Sequence, residues 1–264
     1  MLFVQIVLLI DIYNSVYLVK SRSDLKILVI IPAYNEQVSI SMVVKSVNQS
    51  LPEADIIVIN DGSKDSTLSV AAGSGAKVIS LPYNLGIGAA VQTGFMIAHN
   101  GKYDVAVQVD GDGQHDPQEI GVLLDHLLNS DSDVVIGSRY LINLGYVTPI
   151  ARLLGIRILA KYISILCKKR LTDTTSGFRA SNRRAIQVCA SSYPSDYPEP
   201  ESLVTFNKIG INTSEVPVSM NQRYGGKSSI TPFWSAYYMI KVILAVTILS
   251  LRRAPNLEDK TNDF

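Results

Sequence analysis

Cysteine is scarce in this chain: its 264 residues include only Cys167 and Cys189. The two are far apart and lack metal-type spacing. That excludes a disulfide scaffold and a cysteine-ligated metal, and predicts reduced, core or half-buried thiols in a cytosolic setting. An excess of positive charge is also missing. Lys and Arg total 24 against 23 Asp and Glu, a formal net charge of +1, which argues against a nucleic-acid binder. There is no internal repeat, no low-complexity tract and no clear linker, so one sizeable core is expected. The N-terminus has no basic leader region and no small-residue cleavage site, which argues against a secretory signal.

Apolar residues make up 47% of the chain, and the excess sits at its two ends. Met1 to Val19 is interrupted only by Gln5, Asp11, Asn14 and Ser15, and Lys20, Arg22 and Lys26 follow. A spanning helix would carry Asp11 near its centre, at roughly 2.5–3.5 kcal/mol on the insertion scale; its following cations would place the main domain in the cytoplasm. An amphipathic helix, packed on the protein or lying on a bilayer, is the alternative. The second apolar end, Phe233 to Leu251, carries Trp234, Tyr237 and Tyr238 at its start, Lys241 in its middle and Arg252-Arg253 behind it. That layout predicts an interfacial helix; a helix docked on the core is the alternative. The expected division is an N-terminal apolar helix over 1–24, a catalytic domain over 25–231, and an amphipathic helix with a polar, frayed tail over 232–264.

Between the ends, five short runs alternate with helical patterns: Ile27–Ile31, Asp55–Ile59, Lys77–Leu81, Val105–Val109 and Asp133–Ile136. They are apolar rather than alternating, as in a parallel sheet covered on both faces. Ile40, Val43, Val44 and Val47 fall at helical spacing, as do Ile120, Leu123, Leu124, Leu127 and Leu128. The order predicts an α/β, doubly wound sheet. Further on, a helix is expected over Arg152–Lys169 with Leu159, Tyr162, Ile163 and Leu166 on one face. A polar stretch (172–184), a proline-rich loop (193–200), a helix near Glu201–Lys208 and a strand near Glu215–Val218 follow.

Four of the strands run into polar clusters: Pro32-Ala33-Tyr34-Asn35-Glu36, Asn60-Asp61-Gly62-Ser63, Asp110-Gly111-Asp112 and Gly137-Ser138-Arg139. In a parallel sheet these ends share one edge, where open α/β sheets bind ligands. Asp110 and Asp112, with glycines between and after them, are hard oxygen donors suited to Mg²⁺ or Mn²⁺, ions that commonly bridge to substrate phosphates. The expectation is an enzyme acting on a nucleotide-diphosphate substrate. Asp110, Asp112 and Gln114 would hold the ion, Tyr34, Glu36 and Asp61 would meet base and ribose, and Arg139 would give a bidentate phosphate contact. Other motifs fall short. Gly86-Ile87-Gly88-Ala89-Ala90-Val91 begins like a dinucleotide fingerprint but ends in valine after the third strand. It is better read as a helix start with close approach to substrate, or as a tight turn. A calcium loop starting at Asp110 fails at His115 and Gly121, where glycine and glutamate are required. An aspartyl phosphatase would carry its Asp-x-Asp on the first strand. A nucleotidyltransferase would show a glycine-rich loop where Ala33-Tyr34-Asn35-Glu36 stands. His115 is open between a group supporting the metal pair and a helix-start residue.

Taken in order, Ile31-Pro32-Ala33-Tyr34-Asn35-Glu36, Asn60-Asp61-Gly62-Ser63-Lys64-Asp65-Ser66-Thr67, Asp110-Gly111-Asp112-Gly113-Gln114-His115 and Gly137-Ser138-Arg139 resemble family 2 inverting glycosyltransferases. The resemblance runs from about residue 26 to 231. It is closest to the branch of dolichol-phosphate mannose synthases and polyprenyl-phosphate glycosyltransferases. It implies an open, mostly parallel GT-A-type sheet with helices on both faces, acceptor-side elements after it and membrane-seeking terminal helices. It implies a nucleotide-diphospho-sugar donor, Mg²⁺ or Mn²⁺ at Asp110, Asp112 and Gln114, and nucleotide contacts from Pro32, Tyr34, Glu36 and Asp61. Asp173-Thr174-Thr175-Ser176-Gly177-Phe178-Arg179 and Arg223-Tyr224-Gly225-Gly226-Lys227-Ser228 extend the likeness, which implies phosphate contacts from Arg139, Arg152, Arg223 and Lys227. Asn60 stands where the family carries aspartate, implying a weaker nucleotide contact. The Tyr197-Pro198-Glu199-Pro200-Glu201 segment is not in the synthase branch's form. Glu201 lies where sugar-to-sugar members keep a catalytic base.

The acceptor divides the expectations. A polyprenyl phosphate, whose second pKa is about 6, is a ready nucleophile that needs cations around it. Arg152, Arg179, Arg223 and Lys227 could supply them. A sugar hydroxyl needs a base, with Glu201 first and Asp173 second. The membrane-seeking ends favour a polyprenyl-phosphate or lipid-linked saccharide acceptor at the cytoplasmic face of the cell membrane, with a peripheral or single N-terminal anchorage. Homo-oligomerisation stays open. A surface-polysaccharide transferase and a catalytically silent, nucleotide-binding membrane subunit are the alternatives.

Overall fold

Apolar, β-branched runs build the sheet. Ile27–Ala33 (β1), Asp55–Asn60 (β2), Lys77–Ser80 (β3), Val105–Gln108 (β4) and Val134–Ser138 (β5) form where the sequence predicts strands. Arg179–Asn182 (β6) and Thr213–Pro217 (β7) complete the order β3-β2-β1-β4-β6-β5-β7. The computed structural model describes residues 22–142, 148–221 and 232–252. The Met1–Val19 segment, Arg223, Lys227 and the polar tail beyond 252 lie outside these residues, as do the side chains of Trp234 and Tyr238.

Two features depart from a uniformly buried parallel sheet. β3 is an edge strand with Lys77, Ile79 and Ser80 exposed, so only its inner neighbour is covered on both faces. β6 runs antiparallel to both flanking strands, with Ala180 opposite Val107 on one side and Val135 on the other. Nothing in Arg179-Ala180-Ser181-Asn182 resembles a β-branched strand; the stretch is extended because two open edges flank it. The short strand near 215 begins at Thr213, two residues earlier than its apolar pattern suggests.

Helices Ile40–Ser50 (α1), Thr67–Gly73 (α2) and Ile120–Asn129 (α4) cover one face; Val43, Val47, Leu123 and Leu124 pack there on Val29, Val107 and Phe178. Helices Ile87–Asn100 (α3), Ile150–Cys167 (α5), Arg183–Ser191 (α6), Pro198–Lys208 (α7) and Pro232–Leu251 (α8) share the other core, with Phe95, Leu159, Ile163, Phe206 and Val246 buried. α6 forms between the polar stretch and the proline-rich loop, where the sequence reading places no element, and the first turn of α7 replaces the end of that loop. Asn182 caps α6 by accepting the Ala185 N–H at 3.0 Å, and Pro198 opens α7 where a missing N–H is harmless. Cys167 and Cys189 are buried, unbridged thiols. Among the described residues no helix is long and apolar enough to cross a membrane.

Candidate active site

Because β1, β2 and β4 are parallel, their carboxyl ends meet at one edge and carry the predicted residues into one cleft of about 260 Å³. Pro32, Tyr34, Glu36, Asp61, Asp110 and Asp112 all line it, opposite Gly86 and Ile87 of the α3 start. Tyr34 offers a ring 39% exposed at the rim, and Glu36 lies beside it with Oε2 accepting the Ser39 hydroxyl at 3.0 Å. Asp61 is buried and already partnered: its oxygens accept the N–H groups of Leu85 (2.7 Å) and Gly86 (2.9 Å). Each oxygen keeps a second lone pair toward the cleft. Asn60 is not among the lining groups. Its amide donates to Ser80 (2.8 Å) and accepts the Ser63 N–H, so the replacement of aspartate there braces β2 against β3.

Asp110 and Asp112 differ in surroundings. The Asp112 carboxylate is almost buried and accepts the Gln114 N–H at 2.9 Å. Asp110 is 31% exposed and is supported from below. His115 Nδ1 accepts the Asp110 N–H at 3.0 Å, which leaves the proton of a neutral ring on Nε2, 3.5 Å from Asp110 Oδ2. Stacking on Phe178 at 4.9 Å fixes that ring, so His115 belongs to the support of the carboxylate pair rather than to a helix start. Gln108, fully buried, points its amide at Asp110 Oδ1 (3.4 Å) while its own Oε1 is unpartnered. Gly177 closes over both: a β-carbon there would stand 2.7 Å from Gln108 Nε2 and 3.2 Å from Asp110 Oδ1.

Two carboxylates at an open cleft fit a divalent ion that completes its shell from water and substrate phosphates. Among the described residues no cluster of three His, Cys, Asp or Glu could hold a metal. Gln114 is not in the cleft lining; its main-chain N–H donates to Asp112 and its carbonyl accepts the Asn221 N–H, so the lining carries Asp110 and Asp112 of the three expected ligands. Of the two readings of the 86–88 segment, a helix start holds: Gly86 precedes α3 and borders the cleft. Gly86 has φ +93°, which the turn into α3 requires, and a β-carbon on Gly88 would strike the Pro194 carbonyl at 2.3 Å, so Gly88 lets the 194–195 loop pack on the helix.

On the acceptor side three expectations are corrected. Asp173 is fully buried and holds Arg139 bidentately, Nε to Oδ2 at 2.6 Å and Nη2 to Oδ1 at 2.7 Å, with the Arg139 N–H and the Thr175 hydroxyl adding to it. That engagement argues against Asp173 as a base and shows Arg139 with its fork already on a carboxylate. Arg179 is buried, donating to the Ser176 carbonyl, the Ser202 hydroxyl and the Glu199 carbonyl, so it ties β6 to α7 instead of facing a phosphate. Glu201 is not among the residues that line the cleft. Burial raises its carboxyl, and the side chains that act on it are Asp196 and Arg252. Two residues earlier, about 200° around the helix, Glu199 is raised by burial, opposed by the Arg179 guanidinium and raised again by Asp110, with Arg139 also in reach. Glu199, which the sequence reading names only as part of its segment, is thus the carboxylate there that feels the charges of Asp110 and Arg139. Arg152 is exposed on the first turn of α5. Farther along that helix, Arg157 and Lys161 line a second cavity of about 390 Å³, bordered by Arg139 and Thr172.

The Glycosyl transferase family 2 profile matches residues 28–189, which hold β1 to β6 and the whole cleft. The chain belongs to that family. This glycosyltransferase is 32% identical to polyprenol monophosphomannose synthase of Mycolicibacterium smegmatis, over 80% of this chain and 83% of the other. It is 31% identical to a UDP-N-acetylglucosamine–dolichyl-phosphate N-acetylglucosaminyltransferase of Methanococcus voltae (74% and 86%). It is 29% identical to undecaprenyl-phosphate mannosyltransferase of Micrococcus luteus (78% and 88%). Among solved structures it resembles glucosyl-3-phosphoglycerate synthase of Mycobacterium tuberculosis, crystallised with Mn²⁺, UDP and phosphoglyceric acid. The TM-score is 0.67 at 20% identity, over 89% of this chain and 81% of that one. At that identity the likeness concerns the GT-A-type fold of this family 2 glycosyltransferase.

Proposed function

We propose that this family 2 glycosyltransferase moves a sugar from a nucleotide-diphospho-sugar to a polyprenyl phosphate or other lipid-linked acceptor, at the cytoplasmic face of a membrane. The observation that carries the donor half is the single cleft into which three strand ends bring Tyr34, Glu36, Asp61, Asp110 and Asp112. The names of the relatives support the acceptor half.

Tyr34 supplies a flat surface for a base, while Glu36 and Asp61 accept from ring N–H or ribose hydroxyl groups. Asp110, oriented by His115 and Gln108, and Asp112, capped by the Gln114 N–H, are the residues that would hold Mg²⁺ or Mn²⁺ with the diphosphate. When bound, such an ion stabilises the charge of the departing nucleotide diphosphate. The acceptor attacks the anomeric carbon opposite the leaving group, so the anomeric configuration inverts. A phosphate acceptor, largely dianionic at neutral pH, needs no proton removed. Arg152, with Arg223 and Lys227 outside the described residues, supplies the positive charge that draws it in.

A sugar hydroxyl is the second acceptor class, and Glu199, whose carboxyl is raised by burial and by the Asp110 charge, is favoured over Glu201, which feels neither Asp110 nor Arg139, as its base. The test is a donor panel of UDP-, GDP- and dTDP-sugars with undecaprenyl phosphate and Mn²⁺ or Mg²⁺, reading nucleotide-diphosphate release and labelled lipid. Metal-dependent release with a labelled lipid, abolished in Asp112→Ala with the fold intact, is the expected result. Full transfer by Asp112→Ala would refute the metal assignment. Donor turnover without labelled lipid would move the acceptor to saccharides, and silence with every donor would favour a non-catalytic binding subunit.

A further inference from the structure

The main-chain ladder between β1 and β2 ends where the cleft begins. Ala33 stands opposite Asn60, and the last bond runs from the Asp61 N–H to the Ala33 carbonyl at 2.9 Å. Beyond it, side chains take over the pairing of the two loops. The Asn35 N–H donates to Ser63 Oγ at 2.9 Å, and Asn35 Oδ1 accepts the Lys64 N–H at 2.9 Å. The Glu36 N–H donates to Thr67 Oγ1 (2.8 Å) and the Gln37 N–H to Asp65 Oδ2 (3.3 Å), while Gln37 Oε1 accepts the Ser66 N–H (3.0 Å). Each loop thus offers side-chain oxygens to the main chain of the other. Asn35 engages from φ +56°, the left-handed region that asparagine tolerates better than most residues.

This clasp stands behind the cleft rather than in it. Tyr34, Glu36 and Asp61 line the cleft, and Asn35, Gln37, Ser63 and Asp65 do not. Yet the clasped loops carry the lining groups: Tyr34 and Glu36 flank Asn35, and Asp61 precedes Ser63 by two residues. Asp61 in turn holds the approach to α3 through the Leu85 and Gly86 N–H groups. The buried Ser39 hydroxyl, 2.7 Å from the Gly111 carbonyl, joins the first loop to the turn that bears Asp110 and Asp112. The walls of the cleft are therefore parts of one frame. A loop that is ordered only when ligand arrives subtracts that ordering from affinity, and a loop already held does not.

We propose that Asn35 is a positioning residue: by clasping the 63–67 loop from its left-handed conformation, it holds Tyr34, Glu36 and Asp61 in their nucleotide-binding arrangement before the donor arrives. This rests on the reading of the cleft as the donor site and adds a residue that does not touch the donor.

The test sets wild type beside Asn35→Gly, which keeps the left-handed backbone and removes the side-chain acceptor, and Asn35→Asp, which keeps an acceptor oxygen in place. Asn182→Ala, which removes the α6 cap, is the control for stability lost elsewhere. The readouts are amide hydrogen exchange and calorimetric titration with UDP and with GDP, each with Mn²⁺. In Asn35→Gly, exchange speeds up over 34–37 and 63–67 together while Ile57–Asn60 keeps its protection. The nucleotide that binds wild type binds this variant about fivefold more weakly, the worth of one net hydrogen bond. In the donor panel its KM for the donor rises in the same proportion, with kcat within about twofold of wild type. Asn35→Asp restores slow exchange and affinity, and Asn182→Ala lowers the unfolding temperature with nucleotide binding as in wild type. Faster exchange confined to 34–37 would overturn the clasp. Equal weakening of nucleotide binding in Asn182→Ala would overturn the positioning role. A nucleotide held alike by wild type and Asn35→Gly would overturn this proposal alone, whereas a wild type that binds neither nucleotide would refute the donor reading and this proposal with it.

Discussion

Replacing Asp173 by Asn separates a counter-ion from a catalytic base. The carboxylate is fully buried, Arg139 is 9% exposed, and two bonds of 2.6 and 2.7 Å join them, with the Arg139 main-chain N–H at 3.1 Å. Breaking a buried pair from one side leaves the other charge uncompensated, at about 3–5 kcal/mol. For a chain of this size, where 1 kcal/mol moves the unfolding temperature by about 2–4 °C, the expected drop is roughly 6–20 °C. Thermal and urea unfolding followed by circular dichroism measure it. A double variant, Arg139→Met/Asp173→Leu, should recover much of the loss, because it removes both charges and leaves apolar groups of similar size. A loss below about 1 kcal/mol, with turnover abolished and substrate binding kept, would refute the counter-ion reasoning and restore Asp173 as a base. So would a double variant whose cost equals the sum of the single ones.

Three further outcomes are expected. Glu199→Gln lowers turnover about 10²–10⁴-fold if the acceptor is a sugar hydroxyl, while Glu201→Gln leaves the rate within a few-fold; with a phosphate acceptor neither does so, and single-turnover assays with both acceptor classes separate the cases. Gly177→Ala pushes on Asp110 and Gln108, so if these residues hold the ion as proposed, metal-dependent binding of the nucleoside diphosphate that the donor panel identifies weakens about 10–100-fold by calorimetry while metal-free binding is unchanged; equal effects on both would show a general disturbance. The Tyr103 hydroxyl donates to Asp55 at 2.7 Å and holds that carboxyl below its ordinary 3.8, while burial and the same bond push the phenol up to about 12. A depressed acid contributes its stability above the ordinary value and loses it as pH falls through the lower one. Tyr103→Phe therefore costs about 0.5–1 kcal/mol at neutral pH and progressively less below about pH 4, and a difference that grows on acidification would contradict the assignment.

The donor half was legible because its signals are local. Four of the five apolar runs end in polar clusters, and the parallel pairing of β1 with β2 and β4 alone brings three of those clusters together. The acceptor half was not, because its structure is imposed from outside. β6 has the composition of a loop and is extended by the open edges of β4 and β5, and α6 is announced only by the Asn182 cap. The cations at 139 and 179 look alike in sequence to any phosphate-binding arginine. Only packing shows that one faces Asp173 and the other the start of α7. Glu199 and Glu201 differ in sequence by two positions and in space by opposite sides of a helix, a distinction that needed the helix to begin at Pro198 rather than after it.

The reversed strand also has a consequence for synthesis. β1 to β4 and the Asp110–Asp112 turn are made first and can pair among themselves, so the nucleotide cleft can take shape early on the ribosome. The outer edge of β4, Val105–Gln108, then stays open until residues 179–182 have emerged to occupy it. For that interval the nascent chain presents a short apolar edge with unpaired backbone groups, a template for pairing with another chain. A truncation ending between β5 and β6 should therefore self-associate, whereas one ending after α6 should not.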